Sequence, residues 1–472
     1  MSKTVKSPAS PNDSVAAARW RPLARATAVA LMSMTGWTVV HAESLVDLYQ
    51  AAKGYDAAYL SALAQADSVQ YQVEQSRALF RPSLALQASV TRNHYDSSVE
   101  ASALQQQLTG GSASNNAAST TKKAGLVAKQ ALFNRADSAK IDQAEQTLAI
   151  SQADLKLAED DLAARLTQAY FDVLAAQDVL NTTQANKKGL AEQLASAKRN
   201  FEVGNATITD TREAQARFDL AAAQEIAATN DLRVKRIALD QLVGRPDVKP
   251  SPLLTPVNLD SLTPGQMDDW VAQTVNAPTI RKAEVALNVA KLEINKAKAG
   301  HMPTLDAVAS LSRTDVDSAN STVKSTAGAG TSASIGIELN MPLYAGGAVQ
   351  NRVREVLALQ EKAERDVDNA KRTVALGTRQ AFSGVQSGLA QVKAYEAAEA
   401  SAKLALEATQ LGYRVGVRIN KDVLDAQTLV TSTQKDLYKA RYDVIVGSIK
   451  LKQASGTLKA EDLNELNKLV AQ

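Results

Sequence analysis

The chain has 472 residues, a formal net charge of +3 and no cysteine. The lack of cysteine excludes disulfides, a thiolate nucleophile and a lipid attached to an N-terminal cysteine, and a charge so close to zero does not indicate nucleic-acid binding. Aromatic residues make up only 4% of the chain, so its core is expected to depend on close packing of helices rather than on large rings.

The first 42 residues have the pattern of a secretory signal peptide. Arg19, Arg21 and Arg25 precede a mostly apolar stretch at 26–40, and cleavage is predicted after Ala42. The alternative is an uncleaved membrane anchor, but an apolar stretch of about 15 residues is short for a spanning helix, which needs ~20. Residues 1–42 hold five basic and one acidic residue, so the mature chain has a net charge of −1. We therefore expect an exported chain.

The first half of the mature chain, predicted as a repeat over residues 43–244, begins with a helix and a strand pair. The helical stretch over 44–80 ends before Pro82, which has no N–H for a helical hydrogen bond. Alternating apolar residues predict a strand pair within residues 83–133. A segment at 96–120 that is rich in Ser, Gly and Asn predicts a long exposed loop between the strands.

A long helix is predicted next, from about Ser138 to Arg199, where there is one glycine and no proline. Its apolar positions recur at spacings of three and four, which is typical of a coiled-coil seam. They are Leu155, Ala158, Leu162, Leu166, Ala169, Val173, Ala176 and Leu180. Roughly 65 residues make about 100 Å of helix. A tip turn near Gly204 then reverses the chain into a shorter helix that ends near Gly244. This helix and the 44–80 segment together match the long helix in length.

The second half of the chain repeats the first. Residues 201–244 align without a gap on residues 413–456, a shift of 212 positions, so that Gly204 falls on Gly416. This self-similarity indicates one duplicated unit rather than two unrelated domains.

The remaining boundaries follow from the alignment of the two halves. Residues 245–268 are rich in proline and predict an inter-repeat linker at an equatorial level. The second repeat is predicted over 269–458, with a strand pair at 304–344, an exposed loop at 315–332 and a tip turn near Gly416. Residues 459–472 are expected to form a C-terminal tail.

Each predicted strand pair has one apolar and one polar face, the pattern of lipid-facing strands in outer-membrane barrels. The alternative is an ordinary hairpin with one face on a soluble core. Two equivalent hairpins with long polar loops in an exported chain favour the membrane. Four strands cannot close a barrel, and open edges in lipid leave backbone groups unpaired, so we expect an oligomer. A dimer supplies eight strands and a trimer twelve, and geometry leaves that choice open.

No motif for catalysis or for a cofactor is found, so we expect a protein that is not an enzyme. The mature chain has two histidines, His94 and His301, both near predicted strand ends and without neighbouring metal-ligand types. Surface or interfacial positions explain them better than a metal site, and no glycine-rich phosphate loop is present.

The duplicated plan and the two tip sequences resemble the TolC-type outer-membrane channel proteins, the exit ducts of type I secretion and drug-efflux systems. The tip sequences are Tyr-Arg-Val-Gly-Val-Arg at 413–418 with 422–426, and Asn-Phe-Glu-Val-Gly at 200–204 with 208–210. The resemblance covers nearly the whole mature chain. It implies an α+β membrane protein, a homotrimer with one 12-stranded outer-membrane β-barrel and a long α-helical barrel across the periplasm. It also implies a passive channel that opens when a periplasmic adaptor and an inner-membrane transporter dock.

Two carboxylates of the second tip are candidates for the pore constriction. Asp422 and Asp425 are spaced i, i+3, which places them on one helix face. In an oligomer they would form carboxylate rings that favour cations, whereas the alternative is a solvated helix N-terminus. The resemblance implies the pore rings.

The resemblance also implies links that hold the periplasmic entrance closed, made by Asp210, Tyr413 and Arg418. The first repeat has Ala206 in place of Arg418 and Phe201 in place of Tyr413. The second repeat therefore carries polar links that the first repeat cannot make at the matching positions, as a lock between unlike hairpins requires.

A periplasmic coiled-coil scaffold or adaptor protein is the alternative function. Adaptors usually carry one helical hairpin flanked by soluble β domains. This chain predicts two hairpins and membrane-like strands, which favours the channel.

Overall fold

A computed structural model describes residues 43–97, 115–254, 259, 265–318 and 328–470. The predicted signal peptide and the middles of both predicted loops lie outside these residues. The described chain is mostly helical and contains one four-stranded antiparallel sheet, which confirms the predicted mixture of long helices and paired strands.

Helices and strands follow the same order in both halves. The first half contains α1 (Leu45–Lys53), α2 (Ala57–Arg77), β1 (Ser83–Ser97), β2 (Asn115–Phe133), α3 (Arg135–Glu202) and α4 (Ile208–Val243). The second contains α5 (Met267–Gln273), α6 (Pro278–Lys298), β3 (Thr304–Ser318), β4 (Gly328–Asn340), α7 (Ala348–Arg414), α8 (Asn420–Ser455) and α9 (Ala460–Asn467). The long helices α3 and α7 have 68 and 67 residues, and the returning helices α4 and α8 have 36 each.

The helix predicted over 44–80 is in fact two helices. Gly54 ends α1 with its N–H on the Ala51 carbonyl, and Asp56 begins α2 by accepting the N–H of Tyr59 at 2.8 Å. A carboxylate placed before a helix satisfies an amide that has no partner within the helix. The break therefore follows from a C-terminal glycine and an N-capping aspartate two residues apart.

The shorter helices lie along the long ones. Helix α3 contacts α2 and α4, and also α6 and α8, while α7 contacts α6 and α8. The end of α4 meets the start of α2. Gly244, just after α4, lies so close to the ring of Tyr55, just before α2, that a Cβ on Gly244 would overlap the ring. The second half repeats this junction, where a Cβ at Gly456 would overlap Ala277. The duplicated sequence thus produces a duplicated helix junction.

The largest buried core surrounds these junctions. It includes α3 residues of the predicted seam, together with residues of α1, α4 and α8: Leu162, Leu166, Val173, Leu180, Leu45, Leu239 and Ile445. The buried Tyr170 hydroxyl accepts the Ser251 N–H at 2.9 Å, which fixes the proline-rich linker to α3. This core joins both halves of the chain and the linker.

The C-terminal segment is more ordered than a tail. Residues 460–467 form α9, whose Leu463 and Leu466 are buried in the main core. The Leu45 N–H donates to Asn467 Oδ1 at 3.3 Å, and an isolated bridge pairs Leu253 of the linker with Val470. Leu463 and Leu466 stand among mostly polar residues after Gly456, so composition alone predicts a tail.

The sheet has the order β1-β2-β3-β4, and one of its faces is apolar. Leu86 lies opposite Leu126, which lies opposite Leu311, and all three side chains are more than 40% exposed. On the other face, hydroxyls of Ser310 and Ser334 are hydrogen-bonded at 2.8 Å. Within the described chain, β1 and β4 are each paired on one side only.

Both strand pairs extend into the predicted loops. β1 continues to Ser97 and β2 begins at Asn115, where a loop is predicted over 96–120, and the second loop at 315–332 is shortened in the same way. Ser, Thr and Asn occupy these strand ends, and backbone pairing needs no apolar side chain. None of the described helices is long and apolar enough to cross a membrane.

Candidate functional site

The two helix reversals that follow α3 and α7 have the same backbone geometry. Gly204 has a φ of 79° and Gly416 a φ of 82°, a region that residues with a Cβ rarely adopt. Each glycine N–H donates three residues back, to the Phe201 carbonyl at 3.0 Å and the Tyr413 carbonyl at 3.1 Å. We call these two reversals, with the adjoining ends of the four helices, the tip.

A small apolar core supports the tip. It contains side chains from α3 and α4 and one from α8: Leu190, Leu194, Ala197, Ala214, Ala221 and Leu424. Leu424 is almost completely buried, so the first turn of α8 is anchored on the α3–α4 hairpin. The two hairpins of one chain therefore share a core at the tip.

Three polar links connect the same two hairpins. Asn200 Nδ2 of α3 donates to the Tyr413 hydroxyl of α7 at 3.3 Å, and Gln193 donates to the buried Asn420 at the start of α8. Arg217 Nη2 of α4 lies 2.8 Å from Asp425 Oδ1 of α8. Tyr413 and Asp425 were expected at the tip, and Asn200 belongs to the tip sequence at 200–204. Nothing in the sequence, however, pairs Asn200 with Tyr413 or Arg217 with Asp425.

The other predicted gate residues contact their own helix ends in this single chain. Asp210 forms a capping box with Thr207, in which its carboxylate accepts the Thr207 N–H at 3.0 Å. Arg418 lies one turn before Asp422, with 3.6 Å between Nη1 and Oδ2. All three predicted gate residues lie at the tip, but within the described chain Asp210, Tyr413 and Arg418 form no hydrogen bond or ion pair with each other.

The two candidate constriction carboxylates differ in their surroundings. Asp425 is held by two cations, Lys421 at 2.7 Å and Arg217 at 2.8 Å, and Lys421 followed by Arg217 lowers the pKa of this carboxyl. Within the described parts of the chain, the carboxylate of Asp422 forms one ion pair, the longer contact with Arg418. Lys421 precedes Asp425 by four residues, so that pair could be found in the sequence, whereas the pair with Arg217 depends on the packing of α4 against α8.

Apolar side chains cover the outside of the tip. Val203, Val415, Val417 and Ile419 are each more than 60% exposed. Exposed apolar residues grouped at one end of a helical structure are typical of a surface that another protein covers.

The two histidines do not belong to the tip. His94 lies on β1 and His301 just before β3, and both side chains are exposed. The described residues contain no group of three acidic, histidine or cysteine side chains arranged to hold a metal ion.

A model of the outer membrane efflux protein family matches residues 48–245 and 273–457. The chain belongs to this family. Residues 246–272 separate the two matched ranges. The predicted family is therefore confirmed.

Two relatives and one solved structure illustrate the similarity to members of the efflux family. Outer membrane protein TolC of Vibrio cholerae is 32% identical over 94% of this chain and 97% of that protein. Alkaline protease secretion protein AprF of Pseudomonas aeruginosa is 30% identical over 72% of this chain and 70% of that protein. The crystal structure of outer membrane protein VceC from Vibrio cholerae matches with a TM-score of 0.72 and 17% identity, over 87% of this chain and 96% of that one, which shows a shared fold. The chain is thus an outer-membrane channel protein of the efflux and secretion type.

Proposed function

We propose that this chain is the outer-membrane exit duct of a tripartite efflux or type I secretion system. The observation that carries the proposal is the sheet with its exposed apolar face. One residue separates β2 from the 68-residue helix α3, and seven residues separate β4 from the 67-residue helix α7. An apolar sheet face that is not covered by the chain itself fits contact with lipid, and helices of about 100 Å fit a duct that extends through the periplasm.

The open sheet edges support a homotrimer. β1 and β4 each leave one row of backbone groups unpaired within the described chain, and in lipid each unpaired group costs several kcal/mol. Three copies of four strands would close a 12-stranded barrel, with β4 of one copy pairing with β1 of the next. The cleaved signal at 1–42 would export the chain from the cytoplasm.

The tip would be the closed periplasmic entrance of this duct. Asp422 and Asp425 would line the constriction, and the turns at Gly204 and Gly416 would bring the helix ends to it. Asp210 and Arg418 use only exposed capping or one-turn contacts in a single chain, so both can reach a neighbouring copy. The exposed apolar side chains of the tip, Val203, Val415, Val417 and Ile419, fit the docking of a periplasmic adaptor and an inner-membrane transporter. This docking would open a passive channel without catalysis.

The energy of the lock is small enough for docking to overcome. Each partly exposed polar link contributes about 0.5–2 kcal/mol, and three copies multiply this by three. Changing Arg418→Ser together with Tyr413→Phe should therefore enlarge the channel without unfolding it.

The test is single-channel conductance of the purified mature protein in planar bilayers. The wild type should show small cation-selective openings that enlarge in the double variant. Arg414→Ser is the matched control. Arg414 is exposed at the end of α7, next to Tyr413, and has no ion pair among the described residues. Unchanged conductance in the double variant would move the gate elsewhere. No conductance from folded protein, together with release from outer membranes without detergent, would favour a periplasmic scaffold or adaptor.

A further inference from the structure

The ion pair between Arg217 and Asp425 lies at the level of the proposed constriction. It joins α4 of the first hairpin to α8 of the second, with 2.8 Å between Nη2 and Oδ1. Lys421 Nζ lies 2.7 Å from the other carboxylate oxygen of Asp425, Oδ2. Both oxygens of Asp425 therefore face a cation, and one of these cations comes from the other hairpin.

The position of Arg217 is fixed by its surroundings. Its side chain is about two-thirds buried and lines a cavity of about 150 Å³ between α3, α4 and α8. Asn186 and Lys435 also line this cavity, and no carboxylate does. Glu213, one turn before Arg217, is 3.9 Å away, so Asp425 is the closest acidic partner of the guanidinium.

Asp422 provides the contrast within the same helix turn. Its contact with Arg418 is 3.6 Å long, and the arginine side chain is 61% exposed. A long ion pair that is open to water offsets the charge of its carboxylate far less than a direct ion pair does, because solvent screens the attraction. Of the two proposed constriction carboxylates, Asp422 keeps more of its effective charge.

We infer that Arg217 is a selectivity-determining residue of this channel, because it holds Asp425 towards α4 and offsets that carboxylate's charge at the constriction. The inference rests on the proposed function, in which Asp422 and Asp425 face the pore. Arg217 itself would lie behind the ring of carboxylates and act through Asp425. Its removal would free one carboxylate in each copy to attract cations.

The test is the cation-to-anion permeability ratio, measured from reversal potentials in a salt gradient for wild type, Arg217→Gln and Arg217→Lys. Loss of one nearby positive charge per copy should raise the ratio about two- to fourfold at low ionic strength. Block by added Mg²⁺ should strengthen by a similar factor, about two- to fourfold. Arg217→Lys keeps the charge and should remain close to wild type.

Arg212→Gln is the matched control. Arg212 lies on the same helix, is exposed and has no ion pair among the described residues, yet its substitution removes the same charge. An equal rise in Arg212→Gln and Arg217→Gln would show a general field effect and overturn the inference. An unchanged ratio in folded trimeric Arg217→Gln would also overturn it.

Asp425→Asn separates this inference from the function on which it rests. If Asp425→Asn lowers the cation preference while Arg217→Gln has no effect, the constriction stands and the role of Arg217 fails. If Asp425→Asn leaves the ratio unchanged, Asp425 does not face the pore and both fail. Asp425→Asn lowering the ratio and Arg217→Gln raising it would support both.

Discussion

Asp56 is predicted to hold the junction between the two shortest helices of the first repeat and α3. Its carboxylate caps α2 by accepting the Tyr59 N–H at 2.8 Å. The same carboxylate accepts hydrogen bonds from both Nη atoms of Arg165 on α3, at 3.0 and 3.1 Å. Asp56 is 9% exposed, and the hydrogen bonds from Arg165 lower the pKa of its carboxyl. Asp56→Asn and Asp56→Ala separate its two roles.

The two substitutions should differ in their cost in stability by the free energy that the helix cap contributes. Asparagine caps a helix about as well as aspartate, so Asp56→Asn removes mainly the charge pair. Arg165 is 38% exposed and keeps its contact with Asp161, so we expect a cost of only about 1–2 kcal/mol. Asp56→Ala also loses the cap, which adds about 1 kcal/mol. Because the pKa is lowered in the folded chain, this stabilisation is complete at pH 7 and falls as the pH drops below about 4.

Hydrogen exchange of the first-turn amides of α2 is the assay, because it reports local opening. Each 1.4 kcal/mol changes the opening equilibrium about tenfold, so exchange should accelerate about 5- to 30-fold in Asp56→Asn and about 30- to 150-fold in Asp56→Ala. Asp67→Asn is the control, since Asp67 is exposed on the same helix and forms no ion pair among the described residues. Equal exchange in Asp56→Asn and Asp56→Ala would refute the capping role. Wild-type exchange in Asp56→Asn would refute the charge pair.

Two further predictions concern a turn and a partly buried carboxylate. Gly416→Ala should destabilise the tip by about 1 kcal/mol, because a Cβ there meets no atom but forces a strained positive φ. Gly384→Ala, in open space within a helix, should stabilise by about 0.5–1 kcal/mol in the same denaturation assay, and equal effects would contradict the argument. Burial opposes ionisation of Glu293, but hydrogen bonds from Gln143, Lys296 and Arg352 lower its pKa to about 2. Glu293→Gln should therefore cost stability at pH 7, and its difference from wild type should shrink as the pH falls from about 4 towards 2. Glu361→Gln, the same substitution at an exposed position, is the control variant.

The long-range plan of the chain is visible in its sequence because it depends on repeated local signals. Glycine at 204 and 416 marks both reversals, and the three- and four-residue spacing along 155–180 marks the buried side of α3. Strand ends are less visible, since Ser, Thr and Asn pair as strands here although they are common in loops. Helix α9 is missed for a similar reason, because two buried leucines in a polar segment make a weak pattern.

The tip could be predicted only in part. Gly204, Gly416 and the i, i+3 aspartates follow from the sequence, and the resemblance names the gate residues. The contacts that Asn200 and Arg217 make across the tip could not be predicted, because each residue is about 210 positions from its partner. Such contacts depend on how α3 and α4 pack against α7 and α8, which local patterns do not determine.

The duplication copies the backbone of the hairpins but not the side chains that join them. The three links across the tip, Asn200–Tyr413, Gln193–Asn420 and Arg217–Asp425, all run from the first repeat to the second within one chain.

A reciprocal set of links is absent from the sequence. At the positions shifted by 212, the three first-repeat donors become Gly412, Ala405 and Leu429, and two of the acceptors become Phe201 and Ile208.

In the proposed trimer each hairpin has two neighbours, one from its own chain and one from the next. The contact within a chain has these three links and the shared core at Leu424. The contact between chains would lack that set of links and would depend on exposed groups such as Asp210 and Arg418. Opening should therefore begin between chains, with the two hairpins of each chain moving as a pair.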